Sequence, residues 1–531
     1  APPFSPARRS PSPRDHVGPM TVVMGAAGYA GSVLIRQVLA LDAAVPSDLR
    51  IDDGVIVEVG ASLPRRAGEE VLDAGGALAI PGLWDQHVHT GQLAQAHARL
   101  ETTGAGSVGV LLERVRAELA ARRETGAAGA ALIGFGHRLV DFAIPPTVPA
   151  LDEATGSVPT VLIGGDAHHA WLNSAALHAL GLPPRDGIVA EEDWFALAPH
   201  LPELPGVAES VATGAAMLQR QALQRGVVGL VDMEWGRPWE SWPHRSPRMR
   251  IRTAVYPEEL AAAPGPTGTA LDPSGLVTMG PLKVIVDGAL GSHSAYTREA
   301  YTDGHGYAGH GVLSVGPEAL RDALAEARRR GLTAAVHAIG DAAAQVALAA
   351  IAEVGIAARI EHAQMLTDDD IDAMAALSVI ASVQPAHLLD DRDATESIWP
   401  GHGTQAFRLR DLREAGVELA LGSDAPVAPL DPWLAMAAAV HRSADERPAW
   451  HPSQQLQPRE ALAASTDGVG TLAVGGRADI VLLDEAEDLF ADVPAGADGL
   501  MDEAAAREAA ARLRTVDPLA TVVAGRLESQ R

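Results

Sequence analysis

The feature that most constrains the fold is an alternation of short apolar segments with helix-type segments in the middle of the chain. The helix-type segments are rich in Ala, Leu, Glu and Arg, and include Pro317–Arg330, Ala342–Val354, Asp368–Ala376 and Gln405–Ala415. The apolar segments include PTVLIGGD, VVGLVDME, RIRTAVY, PLKVIVDG, TAAVHAIG, ARIEHAQM, SVIASVQP and VELALGSD. Such alternation predicts parallel strands joined by crossover helices, which cover both faces of apolar strands. The predicted fold is an α/β (β/α)8 TIM barrel, and a doubly wound open sheet is the alternative.

Short β-type segments also occupy both ends of the chain. VLIRQVLALD, LRIDD and VIVEVG precede the alternating region, and GTLAVGGRADIVLLD and ATVVAGRL follow it. We predict that residues 20–80 and 466–531 pair into a small composite β domain, with the barrel formed by residues 81–465 between them. Residues 1–19, rich in Pro, Ser and Arg, are predicted to be a disordered leader.

The connection that follows the first barrel strand is too long for an ordinary βα loop. Such loops have about 2–6 residues, whereas here the next strand candidate begins near residue 227. We therefore expect an inserted subdomain or lid within about residues 91–227.

Charge and cysteine content exclude several classes of function. The net charge of -27 disfavours nucleic acid and anionic membranes as partners. No cysteine is present, so neither thiolate catalysis nor a Cys-ligated metal is available. The apolar run Met20–Ile35 is shorter than the roughly 20 residues that span a bilayer, and Arg8, Arg9 and Arg14 before it resemble a signal-peptide flank without a clear break behind it. We expect a cytoplasmic protein.

A glycine-rich segment, GAAGYAGS (Gly25–Ser32), raises the alternative of dinucleotide binding. The segment that follows contains Pro46 and β-type turns, whereas a nucleotide-binding unit needs a crossover helix there. We therefore disfavour an NAD-dependent oxidoreductase, which would also change NAD(P)H absorbance.

Polar side chains follow or interrupt the predicted barrel strands where an apolar residue would be expected. In a parallel barrel the carboxyl ends of all strands meet at one mouth, so these side chains should converge. The residues are His87, His89, Lys283, His337, His362 and Asp424.

The spacing of the first two histidines favours a metal site. Alternate residues of a strand point the same way, so His87 and His89 can offer two nitrogens to one ion. Four imidazoles and a carboxylate form a donor set suited to zinc or a similar divalent ion. A lone histidine at a strand end is more often a hydrogen-bonded polar residue than a metal ligand, the His-x-His pair alone fits either explanation, and a buried lysine is usually an ion-pair partner. The metal interpretation depends on their shared position.

Several motifs in order resemble the amidohydrolase superfamily. PGLWDQHVH, a lysine on the fourth barrel strand, histidines on the fifth and sixth and an aspartate on the eighth follow the pattern of that superfamily. The similarity is closest to its YtcJ-like (amidohydrolase 3) branch, which includes N-substituted formamide deformylases. The stretches that carry it are DAHHAWLNSAAL, KVIVDGALGSHSA, VHAIGDAA, RIEHAQ, SVQPAHLLDD and LGSDAPVAPLDPW.

The resemblance implies a distorted barrel with a composite β-sandwich from both chain ends. It implies that His87, His89 and Asp424 bind one metal, most simply Zn²⁺, and that His337 and His362 bind a second where one is present. Lys283 matches a position that is often carboxylated by CO₂, which would give a carbamate between two ions. Asp424 would be the general base that activates water.

The resemblance also suggests substrate contacts, for which local hydrogen bonding in loops is the competing explanation. Superfamily members usually have Arg where this chain has His293, so contacts there are expected to differ. The candidate substrate-binding residues are His168, Trp171, Asn173, Asp287, His293, Gln384 and His387.

The predicted function is metal-dependent hydrolysis of a C–N bond, such as an amide or formamide, in a small molecule. Two alternatives stay open: the same scaffold acting on a carbamate, lactone, ester or isomerisation, and a non-catalytic metal- or ligand-binding protein. Small-molecule substrates are the expected partners, and the sequence leaves monomer and homodimer both open.

Overall fold

A computed structural model describes residues 21–23, 31–41, 43–124, 129–165, 169–301, 309–399, 401–443, 445–484 and 487–531. The predicted leader and most of the glycine-rich segment Gly25–Ser32 lie outside these ranges. Among the described residues, none of the helices combines the length and the apolar character needed to cross a bilayer.

The described strands and helices are numbered in chain order. The strands are β1 (Thr21–Val23), β2 (Val33–Ala40), β3 (Ser47–Asp52), β4 (Val55–Gly60), β5 (Glu70–Asp73), β6 (Leu78–Pro81), β7 (Leu83–Val88), β8 (Leu100–Glu101), β9 (Leu132–His137), β10 (Thr160–Gly164), β11 (His169–Leu172), β12 (Val189–Ala190), β13 (Val227–Asp232), β14 (Arg250–Val255), β15 (Val277–Ile285), β16 (Ala334–Ala338), β17 (Ala358–His362), β18 (Ile380–Val383), β19 (Leu419–Leu421), β20 (Ile480–Leu483), β21 (Ala520–Val523) and β22 (Arg526–Gln530). The helices are α1 (Thr90–Ala98), α2 (Val108–Glu124), α3 (Val148–Thr155), α4 (Ser174–Ala179), α5 (Glu191–Leu197), α6 (Val207–Gln224), α7 (Pro238–Ser241), α8 (Pro317–Arg329), α9 (Asp341–Val354), α10 (Asp368–Leu377), α11 (Leu388–Ile398), α12 (Leu409–Glu414), α13 (Pro432–His441), α14 (Pro458–Ala463) and α15 (Glu503–Arg514).

The middle of the chain forms a nearly closed barrel of eight parallel strands, in the spatial order β7-β13-β14-β15-β16-β17-β18-β19. The segment after β19 meets the end of β7, where the His89 amide donates to the Ala425 carbonyl at 2.9 Å and the Asp424 amide to the His87 carbonyl at 2.7 Å. Leu282, Val336 and Ile360 on the strands belong to one large core with the covering helices. The TIM-barrel prediction is confirmed, and the open-sheet alternative is wrong.

The covering helices begin and end close to the predicted positions where a capping residue defines the helix end. Helix α10 begins after Thr367, whose hydroxyl accepts from the Asp370 amide while the Asp370 carboxylate accepts from the Thr367 amide, a capping box. Helix α12 is shorter than the predicted Gln405–Ala415. Phe407 has a φ of 53°, which interrupts helical geometry and delays the start of the helix to Leu409.

The two ends of the chain pair directly in a second sheet. Its order is β1-β5-β2-β6-β20-β21-β22, with β3 paired to β2 and β4 paired to β3. The junction is the antiparallel pair of β6 with β20, where Ile480 lies opposite Pro81. Ile35, Ile51 and Leu482 are among the residues of its apolar core.

A third sheet is inserted between β7 and β13, the first two strands of the barrel. Its order is β12-β11-β10-β9-β8, and it has apolar cores of its own. The segment PTVLIGGD, which the alternation placed with the barrel strands, forms β10 of this sheet. Parallel β9 and antiparallel β11 flank it, so its apolar character reflects burial in the inserted sheet.

Candidate metal centre

A cavity of about 550 Å³ lies at the carboxyl ends of the barrel strands. The polar residues that the sequence placed at strand ends all line it: His87, His89, Lys283, His337, His362 and Asp424. The convergence expected from parallel strand ends is therefore observed.

Backbone geometry turns two of these side chains towards the cavity. His362 has a φ of 72° and Asp424 a φ of 57°, both in the left-handed region that non-glycine residues seldom adopt. Such conformations cost about 1–3 kcal/mol each and concentrate at functional sites. The chain thus accepts strain at the two positions that bring an imidazole and a carboxylate together.

The ligand-type atoms at the centre of the cavity are close to one another. One donor atom from each of His87, His362 and Asp424 can be chosen so that all lie within 4.8 Å of each other. Oδ1 of Asp424 lies 3.4 Å from Nε2 of His87 and 3.3 Å from Nε2 of His89. Nζ of Lys283 is 3.4 Å from Nε2 of His87. The spacing is that of groups facing one small ion.

The protonation states suit metal binding. Burial lowers the pKa of His87 and His362 well below the ordinary value, so both rings are neutral near pH 7, the form that ligates metals. Burial also lowers the pKa of His337 to about 3. For Asp424 burial raises the pKa, but the neighbouring His87 and His89 outweigh it and hold the pKa below its ordinary value, so the carboxylate is ionised.

Polar atoms without hydrogen bonds support the same conclusion. Nδ1 of His89, Nδ1 of His362 and Oδ1 of Asp424 are buried and make no hydrogen bond within the described part of the chain. Buried polar groups are rarely left without a partner, and a bound metal ion would be a partner for nitrogen and oxygen atoms of this kind. The residues therefore fit a divalent metal with nitrogen and oxygen ligands.

A buried carboxylate behind His87 orients that ring. Oε2 of Glu361 lies 2.7 Å from Nδ1 of His87, so Nδ1–H donates to it and Nε2 is left to face the cavity. Arg359 donates to both oxygens of Glu361 from the other side. Burial raises the pKa of Glu361, but the charges of Arg359 and Lys283 lower it by more. The net pKa is below the ordinary value, and the group is ionised. Sequence reasoning missed Glu361, although an acidic residue directly before a candidate ligand, in RIEH, was a signal for it.

Asp85 was also missed, and it holds the His87 segment against the barrel's last strand connection. Its Oδ1 accepts from the His87 amide at 3.2 Å and from the Ser423 amide at 2.9 Å. Burial raises the pKa of Asp85 to about 6. The signal was again an acidic residue close before a candidate ligand, in LWDQHVH.

The helix that follows His89 is fixed by a third buried carboxylate. Asp232, at the end of β13, accepts from the backbone amide and the hydroxyl of Thr90 and from the indole nitrogen of Trp242. Trp235 stacks on the His89 ring with centroids 5.1 Å apart. The contacts of Thr90 with Asp232 and of His89 with Trp235 were not foreseen, because the partners lie more than 100 residues apart along the chain.

Two of the candidate substrate residues lie at or next to the metal cavity. His387 lines it, with Nε2 4.0 Å from Oδ2 of Asp424. Asp287 is fully buried behind it, accepts from the amides of Tyr296, Ile339 and Gly340, and lies 3.4 Å from Nε2 of His337. It positions the His337 segment and does not reach the cavity.

Trp171, Asn173, His293 and Gln384 are not among the described residues that line the cavity. Trp171 is buried in an apolar core of the inserted sheet, and its indole nitrogen donates to the Thr147 carbonyl at 3.0 Å. Asn173 caps α4 and bonds across the same sheet to the Thr160 amide. In this structure both residues hold the inserted sheet together, and their contact with substrate stays a prediction. Gln384 is buried, with its amide near the Ser382 carbonyl, and His293 packs edge-on against Tyr301. His168 lies outside the described residues.

The rest of the cavity wall is mainly apolar, with acidic residues. Trp235, which is 46% exposed, Leu290, Leu389, Val427 and Leu434 line it, as do Asp390 and Asp391. Among the described residues that line the cavity, Lys283 is the only one with an ammonium or guanidinium group.

Comparison with known proteins agrees with this site. Residues 70–527 match the amidohydrolase family. The chain is 27% identical to a putative amidohydrolase YtcJ from Bacillus subtilis, over 84% of this chain and 92% of that protein. It is 24% identical to an N-substituted formamide deformylase from Arthrobacter pascens, over 80% of this chain and 86% of that protein.

A solved structure shares the fold. An uncharacterized metal-dependent hydrolase from Pyrococcus furiosus superposes with a TM-score of 0.72 at 25% identity, covering 86% of this chain and 99% of that one. With its family match over most of its length and its YtcJ-type relatives, the chain belongs to the amidohydrolase family, in the YtcJ-like branch of that superfamily.

Proposed function

We propose that this chain is a metal-dependent hydrolase that cleaves a C–N bond of a small amide or formamide, with Asp424 as the general base. The observation that carries the proposal is the convergence of His87, His362 and Asp424 at mutual distances within 4.8 Å in the barrel cavity. Membership of the amidohydrolase family supports hydrolysis as the reaction class.

The donor set supports zinc as the metal, with one or two ions. His87, His89 and Asp424 would hold the first ion, His337 and His362 would hold a second, and a carbamate on Lys283 would supply a further oxygen ligand. When bound, a divalent cation lowers the pKa of water from about 15.7 towards 7 and polarises a substrate carbonyl. The carbamate needs a neutral amine, and burial favours one by lowering the pKa of Lys283 to about 8.

The protein side chains would then supply the proton transfers. The ionised carboxylate of Asp424 faces the centre of the cavity from a loop fixed to β7 by the bond from its own amide to the His87 carbonyl. There it can take a proton from the attacking water and give it to the leaving nitrogen. Glu361 keeps the proton of His87 on Nδ1, so that the lone pair of Nε2 is free to bind the metal.

The cavity wall supports a neutral or cationic substrate with an apolar substituent. Trp235, Leu290 and Leu434 offer apolar contacts, whereas Asp390 and Asp391 would repel a carboxylate on the substrate. The relative named N-substituted formamide deformylase supports a formamide as the first bond to test.

The test is a turnover assay of the zinc-loaded protein on a panel of formamides, N-acetylated amines, lactones and carbamates. We expect release of an amine from at least one amide or formamide, and a 10²- to 10⁴-fold slower rate for Asp424→Asn with metal content retained. Asp369→Asn, which changes an exposed carboxylate on α10, is the matched control and should be unaffected.

Near-normal turnover by Asp424→Asn would contradict the assigned base. Cleavage confined to lactones or carbamates would refute the bond assignment. Absence of turnover across the panel in protein with full metal content would favour a binding protein over an enzyme.

A further inference from the structure

A second cavity, of about 610 Å³, lies in the inserted part of the chain. It is enclosed by the end of α1, strands β9 and β10, and helices α5 and α6, and it shares no lining residue with the metal cavity. Its volume falls within the roughly 300–1,000 Å³ of small-molecule sites. Nothing in the proposed hydrolysis uses it.

The walls of this cavity are apolar over most of their surface. Ile133 and Phe135 from β9, Ile163 from β10, Trp194 from α5 and Val207 from α6 all face it. Since an apolar concave surface exposed to water is unfavourable, such a wall gains free energy when a hydrocarbon group covers it.

One charged group, a guanidinium, lies among the described residues that line this cavity. Arg99 directly follows α1 and lines the cavity, with its guanidinium carbon 5.7 Å from the centre of the Phe135 ring. Its Nη2 donates to Oε1 of Gln95, a neutral acceptor. Within the described residues, no carboxylate lies at ion-pair distance from Arg99.

The environment of Arg99 is therefore electrostatically incomplete. Burial lowers the pKa of Arg99, and among the described residues no carboxylate acts in the opposite direction. Arginine nevertheless keeps its charge in proteins. A partly buried cation of this kind is best satisfied by an anion, and its planar group binds a carboxylate through two parallel hydrogen bonds.

We propose that this cavity binds an apolar monocarboxylate, with the carboxylate on Arg99 and the hydrocarbon chain against Phe135, Ile163 and Trp194. The hydroxyl of Ser210, which also lines the cavity, is a second donor near the apolar wall. The ligand occupies a site distinct from that of the substrate.

The two sites are nevertheless connected by one helix. Helix α1 begins at Thr90, directly after His89, and ends at Ala98, directly before Arg99. With a rise of 1.5 Å per residue, its length of about 14 Å separates Arg99 from His89. A carboxylate bound at Arg99 therefore need not contact the metal, and its binding can be measured without one.

The test is calorimetric titration of the full-length, metal-free protein with decanoate, with decanol as the uncharged analogue. We expect one decanoate per chain, at least tenfold weaker binding of decanol, and at least tenfold weaker binding of decanoate to Arg99→Gln. Arg123→Gln, which changes an exposed arginine at the end of α2, is the matched control and should bind decanoate as the parent protein does.

A second variant tests, independently of Arg99, whether decanoate binds in this cavity. Val211→Trp places a bulky ring in the cavity and should abolish binding while the thermal unfolding temperature is retained. This variant and the comparison of decanoate with decanol still decide the matter if Arg99→Gln does not fold. The proposal is overturned if decanoate does not bind, if decanol binds equally well, or if Val211→Trp binds decanoate normally. Because the titration uses metal-free protein, its outcome is independent of the proposed hydrolysis.

Discussion

Removing the charge of Glu361 should weaken metal binding although Glu361 does not itself face the ion. Glu361 is fully buried, and its Oε2 lies 2.7 Å from Nδ1 of His87. In Glu361→Gln the shape is kept, but the charged acceptor is replaced by a neutral amide. The amide can also turn its NH₂ group to Nδ1, which would move the ring proton to Nε2, the nitrogen that faces the cavity.

The expected size follows from this contact. Loss of a carboxylate behind a metal-ligating histidine lowers affinity about 10- to 100-fold. That factor corresponds to about 1.4–2.8 kcal/mol of binding free energy. The loss of an ion pair to Arg359 should in addition lower thermal stability, because the guanidinium is left in a buried position without its carboxylate.

The assay is competition for Zn²⁺ between the metal-free protein and a chelator of known affinity. Glu460→Gln is the matched control, since Glu460 also pairs with an arginine through two hydrogen bonds, to Arg410, at a position outside the metal cavity. It should lower stability without changing zinc affinity. An unchanged zinc affinity in Glu361→Gln, or an equal loss in Glu460→Gln, would refute the orienting role.

Two further predictions concern the barrel closure and the lysine. A Cβ at Gly422 would lie 2.8 Å from the backbone nitrogen of His87, so Gly422→Ala should displace β7 and lower both stability and zinc occupancy, as measured by thermal unfolding and elemental analysis. Gly187→Ala, where a Cβ meets no atom within 4 Å, should change neither, and equal behaviour of the two variants would contradict this packing argument. Because burial lowers the pKa of Lys283 to about 8, its neutral fraction rises from about one-tenth at pH 7 to about half at pH 8. The carbamate signal in ¹³C NMR with labelled bicarbonate should therefore increase from pH 7 to pH 8 and be absent in Lys283→Ala; a signal that falls over this range, or that persists in the variant, would exclude the assigned lysine.

The barrel and the central residues of its cavity could be predicted because both depend on local patterns. Apolar strands alternate with helices, and the residue at each strand end is read directly from the chain. Lys283, His337 and His362 lie on the fourth, fifth and sixth barrel strands, as predicted, and parallel strands necessarily bring their carboxyl ends together.

The contacts that complete the cavity could not be predicted because they join distant segments. Glu361 meets His87 across 274 positions, and Thr90 meets Asp232 across 142. The motif around Trp171 combines aromatic and polar residues, as substrate pockets do. In the structure, Trp171 faces the core of the inserted sheet, and this follows from the pairing of β10 with β11, which the sequence does not reveal. The left-handed φ angles of His362 and Asp424 are likewise only weakly indicated by residue type, because Asp and His are enriched in that region but seldom adopt it.

The central claim is that the side chains at the barrel mouth bind a divalent cation, and a crystal structure of the zinc-loaded protein with anomalous diffraction at the zinc edge tests it most directly. We expect an anomalous peak within coordination distance of His87 and Asp424, which disappears in His87→Ala, together with a matching fall in zinc content. An anomalous peak elsewhere, or unchanged zinc content in that variant, would contradict the account.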